Sequence, residues 1–277
     1  MTNTNMLTLA IETYQRLMPE IKAKASLVST SPATKELQIR VPGIQELLES
    51  IQPLPPQTCL VGLCEDGIPF LLDLARSETG ALLVTGDPDC DRLAHLQVMV
   101  ESLIQLNSPH EAQVAVLTGD LDRWSSFSGQ PGFSSHLMGM HAWYEQGAAD
   151  LINRLVALGV DRSQGRKRGP TILLVIDDLQ GAFDTDFEMQ NGLHWLLENG
   201  ASNHIRTVAS LDAPLCGKNP FWIDTIRTFL VGKTSTLSLV ENLGCSPDLV
   251  ANLIPGFEYL AYTGQAWLKY RLPAVSL

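Results

Sequence analysis

The segment Ala81-Leu-Leu-Val-Thr-Gly-Asp-Pro-Asp-Cys-Asp-Arg-Leu-Ala-His-Leu96 places three aspartates and an arginine between an apolar run and a helical pattern. Strand, tight turn and helix in that order frame a phosphate-binding loop, G-x-x-x-x-G-K-[ST]. In a working loop the backbone N–H groups wrap the phosphates, the lysine reaches the β and γ oxygens, and the hydroxyl holds magnesium. The frame starts at Gly86, so the last three positions fall on Asp91, Arg92 and Leu93, and only the first glycine matches. Asp91 brings a Cβ where the loop needs a left-handed glycine, Leu93 has no oxygen for a metal, and Pro88 removes one donor. Two unit charges ~4 Å apart interact by about 4 kcal/mol at an effective dielectric of ~20, so Asp87, Asp89 and Asp91 oppose a triphosphate. Arg92 is cationic but planar and bulkier than lysine, and does not restore the site. The aspartates read as turn and N-cap chemistry ahead of a helix starting near Arg92, with a cation site and a surviving nucleotide site as alternatives.

A second pattern, Leu173-Leu-Val-Ile-Asp-Asp178, is an apolar strand ending in two acids. That is how a Walker B strand presents a magnesium-side carboxylate, here Asp177, and an adjacent catalytic one, here Asp178. The literal G-K-T in Val231-Gly-Lys-Thr-Ser-Thr236 lacks the frame, because the position of its first glycine is Arg227, inside an apolar strand pattern. It reads as a strand-to-helix turn capped by Ser235 or Thr236. Other chemistry lacks its spacing. His136 and His141 are five apart rather than four, no G-x-S-x-G elbow occurs, and His95, His194 and His204 read as structural. Trp143, Trp195, Trp222 and Trp267 have no interleaved basic residues and read as core or interface anchors.

The elements that position these residues alternate. Apolar runs Thr58–Cys64, Ile68–Leu72, Ala81–Thr85, Gln113–Thr118, Thr171–Ile176, Thr207–Ser210 and Ile226–Val231 are interleaved with helical patterns. Those helices end near Leu106 or run around His141–Leu158, Glu188–Asn199, Ser235–Leu243 and Pro247–Leu253, before a closing pair of strands at Glu258–Tyr262 and Ala266–Tyr270. Near-continuous apolar strands among helices imply an α/β protein with a mostly parallel sheet covered on both faces. Ser125–Gly139 reads as a long loop of mobile composition. Residues 1–57 read as a helical N-terminal appendage, with helices at Met6–Leu27 and Val41–Ile51, bounded by Pro53-Leu-Pro-Pro56.

At 277 residues and 45% hydrophobic, the chain can build one large core. Its net charge of −11 disfavours nucleic acid and anionic membrane, leaving Arg162, Arg166, Lys167 and Arg168 as the one basic footprint for DNA. Five scattered cysteines without CxxC spacing suit buried thiols in a reducing cytoplasm, and no apolar run reaches the ~18–20 residues of a membrane span. A cytoplasmic protein without membrane insertion is expected.

Taken in order, these stretches resemble the motor domain of the FtsK-type DNA translocases, in the wider FtsK/HerA group of P-loop ATPases. The run from Gly62 to Ile104 is similar to the family's hairpin, P-loop strand and helix; "PTILLVIDDLQGAF" to its Walker B strand; "LHWLLENGASNHIRTVASLDAP" to the helix and the sensor strand. The likeness covers residues 58–277 and implies a P-loop NTPase fold of the RecA/FtsK kind. The family's P-loop positions map to Gly86, Asp91, Arg92 and Leu93, its Walker B pair to Asp177 and Asp178, and its sensor to a position near Ser210. With these altered together, the resemblance implies a degenerate ATPase and no catalytic residue. The expected role is that of a structural or regulatory subunit in a larger assembly, secretory or DNA-handling, whose protein partners include ATPases of related fold. Ring assembly in the family implies an oligomerisation surface. No cofactor is expected, ATP and magnesium entering only if the chain is a divergent, active motor.

Overall fold

The computed structural model describes residues 43–50, 54, 56–262 and 266–274. The helix expected at Met6–Leu27 lies outside the described residues.

Ten strands form one sheet: β1 Thr58–Cys64, β2 Pro69–Asp73, β3 Ala81–Gly86, β4 Ala112–Thr118, β5 Leu137–Ala142, β6 Thr171–Asp177, β7 Ile205–Asp212, β8 Ile226–Gly232, β9 Glu258–Tyr262 and β10 Trp267–Arg271. Their spatial order is β2-β1-β10-β9-β8-β3-β7-β6-β4-β5. The six strands from β8 to β5 run parallel, and the pairs from β8 out to β2 are antiparallel. The main helices are α1 Ile44–Ser50, α2 Arg92–Leu106, α3 Gln146–Ser163 and α4 Phe187–Asn199. This is the mostly parallel, helix-covered sheet expected from the apolar strands.

Strand β6 shows why its sequence is apolar at every position. Leu173 and Val175 join the core under α2, while Ile172, Leu174 and Ile176 join the core under α3 and α4. Successive side chains leave a strand on opposite faces, so a strand covered on both sides needs apolar residues throughout. Helix α1 seats Ile44, Leu47 and Leu48 against Leu60, Leu63 and Val98, and thereby covers part of β1 and α2.

The Ser125–Gly139 loop is not a loop. It holds one-turn helices at Ser125–Ser128 and Phe133–His136 and runs directly into edge strand β5. Trp124, Phe127 and Phe133 are buried there in edge-to-face contacts at 5.5 and 5.8 Å, so aromatic burial overrides the Ser/Gly composition. The helix expected around His141–Leu158 starts later, at Gln146, because His141 and Ala142 belong to β5.

Candidate functional site

Strands β3, β6 and β7 are neighbours and parallel, so their C-terminal ends open on one side of the sheet, where ligands of such folds bind. The segment from Pro88 to Leu93, Asp177 and Asp178, and Ser210 with Asp212 converge there on a cleft of about 280 Å³. The residues expected from sequence in the P-loop, Walker B and sensor positions therefore meet in one place.

The geometry of the loop is closed inward. Asp87 N–H donates to Lys233 O at 2.9 Å, Cys90 N–H to Asp87 O at 2.9 Å, and Arg92 N–H to Cys90 O at 2.7 Å. Pro88 has no N–H, so most donors that would face a phosphate are absent or engaged within the protein. The Arg92 guanidinium lies back over the loop. Its Nη1 donates to Asp87 O at 2.9 Å and Gly86 O at 3.3 Å, and its Nη2 pairs with Asp212 Oδ1. Asp91 is the N-cap of α2, its Oδ1 accepting from Ala94 N–H at 3.0 Å. At Gly86 a Cβ would lie 2.9 Å from Cys90 Sγ and 3.2 Å from Lys233 O, which explains why this glycine alone keeps the pattern.

Asp177 is buried at 1% exposure. Its Oδ2 accepts from Thr118 Oγ1 at 3.1 Å and Trp124 Nε1 at 3.2 Å, and lies 3.3 Å from Arg123 Nη1. Burial raises its carboxyl above the ordinary value, against the opposing pull of Arg123, Trp124 and Thr118. Asp178 adopts a left-handed backbone, φ 73°, and its Oδ1 caps the following turn by accepting from Gln180 N–H at 3.1 Å. Its own N–H donates to Ser210 Oγ at 2.9 Å. Ser210 thus ties β7 to the end of β6.

Nucleotide and magnesium do not fit this donor set. Asp89, Asp91, Asp177, Asp178 and Asp212 line the cleft against only Arg92 and Arg123, and Arg92 is already paired. A triphosphate would enter a field of its own sign, without the lysine that would offset it or the loop hydroxyl that would hold magnesium. Among the described residues no group of three or more His, Cys, Asp or Glu is arranged to hold a metal.

Sequence reasoning missed Arg123, Trp124 and Asp212. The signal was available for the first two, because the turn after β4 must end beside β6 in a parallel sheet. The G-K-T turn lies behind the loop and is fastened to it. Asp87 accepts from Thr234 Oγ1 and Ser235 N–H, both at 2.8 Å, while Thr236 occupies the N-cap position of the helix Leu237–Asn242 without a side-chain capping bond. The basic footprint lies elsewhere, at the N-terminal ends of the strands. Arg162 donates to Asn203 O, His204 O and Pro170 O, and Arg166 pairs with Asp161 at 2.7 Å.

No protein-family model matches the chain. No curated protein matches it either. Among solved structures it is similar to ATPases 2 and 3 of EccC from Thermomonospora curvata in complex with a signal sequence peptide, at TM-score 0.65 and 17% identity. That likeness covers 88% of this chain and 45% of EccC's, so the chain spans less than half of that protein's length. The pCW3 conjugation coupling protein TcpA superposes at TM-score 0.63 and 14% identity, covering 95% of this chain and 82% of its own. VirB4 of Thermoanaerobacter pseudethanolicus follows at 0.53 and 8%, covering 79% and 97%. The chain has the fold of the FtsK/HerA-type P-loop ATPases. No helix among the described residues is long and apolar enough to cross a membrane.

Proposed function

We propose that this chain is a non-catalytic, FtsK-like subunit that acts through protein contacts in a larger cytoplasmic assembly. The observation that carries this reading is the Arg92 guanidinium lying across the Gly86 and Asp87 carbonyls and paired with Asp212, in a cleft dominated by carboxylates. In this reading the strand, turn and helix persist because the sheet needs them, and residues 58–277 form a pseudo-ATPase domain with residues 1–57 as its appendage.

Secretion and conjugation supply the context, since the fold neighbours include a type VII secretion ATPase and a conjugation coupling protein. Partners are then ATPases of related fold or other components of the same machine. Exposed aromatics support a role in contacts: Tyr144 and Phe187 are each 79% exposed, beyond the ends of β5 and β6.

Calorimetric titration with ATP and ADP in the presence of magnesium tests the reading, together with a turnover assay with and without duplex DNA. Neither binding nor turnover above background is expected. Micromolar binding and a turnover that disappears in Asp177→Ala would establish the divergent, active motor instead.

A further inference from the structure

The other end of the sheet carries a groove that the cleft chemistry does not explain. It has a volume of about 340 Å³ and lies between the C-terminal half of α3 and the segment Lys167–Pro170. Arg154, Ala157, Leu158 and Asp161 face it from α3, at the i, i+3, i+4, i+7 spacing that puts four side chains on one helical face. Its floor crosses three neighbouring strands, at Ile172 of β6, Gln113 of β4 and Met138 of β5. The distance from this floor to the acidic cleft is roughly 17 Å along β6, five residues at ~3.3 Å each.

The charges of the groove differ from those of the rest of the chain. Arg154, Arg162, Lys167 and Arg168 line it against the single acid Asp161, in a protein of net charge −11. These four cations have different tasks. Arg162 joins the two walls through the Pro170 carbonyl and is tied to the turn before β7 through the carbonyls of Asn203 and His204. Asp161 is taken up mainly by Arg166, with Lys167 at 4.0 Å. Arg154 and Arg168 are exposed, and neither has an ion pair among the described residues. A basic rim beside the half-buried apolar side chains of Met138 and Leu158 is thus left with uncompensated charge.

We infer that this groove is a docking site for a short acidic peptide segment with apolar side chains, supplied by a protein partner. The carboxylates of the segment pair with Arg154 and Arg168, and its apolar residues rest on the half-buried Met138 and Leu158. Charge and length both favour a peptide over nucleic acid. Screening confines the field of an exposed charge to about 8–10 Å, so a short segment senses the local rim, whereas a duplex must lie along a body whose remaining surface repels it. No aromatic side chain lines the groove to stack on a base. The inference rests on the proposed role in protein contacts and adds the chemistry of one partner surface.

Fluorescence polarisation with the full chain and a short labelled peptide alternating Glu and Leu is the test, with a labelled DNA duplex as competitor. Saturable binding that weakens with salt is expected, with a loss of about tenfold or more in Arg154→Glu/Arg168→Glu. Both substitutions lie on exposed positions, so an unchanged melting temperature confirms that the fold is intact. A peptide alternating Ser and Glu should bind more weakly, because Met138 and Leu158 are then unused. Absence of saturable peptide binding overturns the inference, as does a duplex that displaces the peptide and loses affinity in the same variant. Nucleotide binding at the cleft would overturn the proposed function and leave these readouts unchanged, so the two failures are distinguishable.

Discussion

Asp87 holds Thr234 and Ser235 with one carboxylate, accepting from the hydroxyl of the first and the N–H of the second at 2.8 Å each. A carboxylate that would oppose a phosphate therefore fastens the turn after β3 to the turn after β8. Asp87→Ala removes both acceptors and leaves the Thr234 hydroxyl, at a 6% exposed residue, without this partner. A loss of about 1–3 kcal/mol is expected by urea denaturation, with Asp87→Asn intermediate. A neutral Asp87→Ala variant would show that the clamp is dispensable.

Asp177 gives a second test, which separates a structural acid from a catalytic one. Asp177→Ala strands the Trp124 indole N–H and the Thr118 hydroxyl and should cost about 1–3 kcal/mol, whereas Asp177→Asn keeps an acceptor and should cost less. Because its folded carboxyl is raised, Asp177 favours folding most at low pH, and that contribution is lost as pH rises through the folded value. Asp177→Asn should therefore remove a downward slope in stability through mildly acidic pH. An unchanged slope would contradict the assignment of Asp177 as a buried, desolvated acid.

Acid sensitivity in the opposite direction should come from His95. It is fully buried on α2, with Nε2 2.9 Å from the Tyr270 hydroxyl and its ring edge-on to Tyr259 at 4.8 Å, and burial lowers its pKa from 6.5 to about 3. The unfolded chain takes up the proton first as pH falls, so stability is fully present above pH 6.5 and declines towards pH 3. His95→Phe should reduce that slope by up to about 1.4 kcal/mol per pH unit, measured by denaturation at a series of pH values. Parallel profiles for the two proteins would exclude His95 as the acid-sensitive group.

Helix α1 yields a prediction about truncation. Ile44 is 0% and Leu48 3% exposed, on top of Leu60, Leu63 and Val98. Ile44→Ala or Leu48→Ala should cost about 2–5 kcal/mol, and deletion of residues 1–52 should uncover that apolar patch and cause aggregation. A monodisperse truncated protein with an unchanged melting temperature would show that α1 is a separable attachment.

The sequence made the inner parallel strands legible because a strand buried on both faces reads as a mostly apolar run, as Thr171–Asp177 does. Strand β5 escaped notice for the converse reason. At the sheet edge its Leu-Met-Gly-Met-His is half-buried and contains no β-branched residue, so neither alternation nor propensity marks it. Asp91 could be recognised as a cap because capping is local. The tasks of Arg92 and Asp87 could not, since Asp212, Thr234 and Ser235 reach them from strands far along the chain. The mismatches to the phosphate loop were visible one by one. Their joint effect, an inward-facing loop fastened on two sides, depends on which strands lie next to β3.

Strand β1 pairs with β2 on one side and with β10 on the other, and a further bridge joins Gly43 to Ala274. The β1–β2 hairpin therefore reaches the parallel sheet only through strands made some two hundred residues later. At ~5–20 residues per second on the ribosome, the hairpin waits roughly 10–40 s for its neighbour. Closing so long a loop makes this step entropically costly and late in folding. Throughout that interval β1 offers a buried-type strand, Thr-Cys-Leu-Val-Gly-Leu-Cys, with an open edge to any other nascent chain. Pairing of β1 with β10 thus closes the edge that an incompletely made chain leaves open.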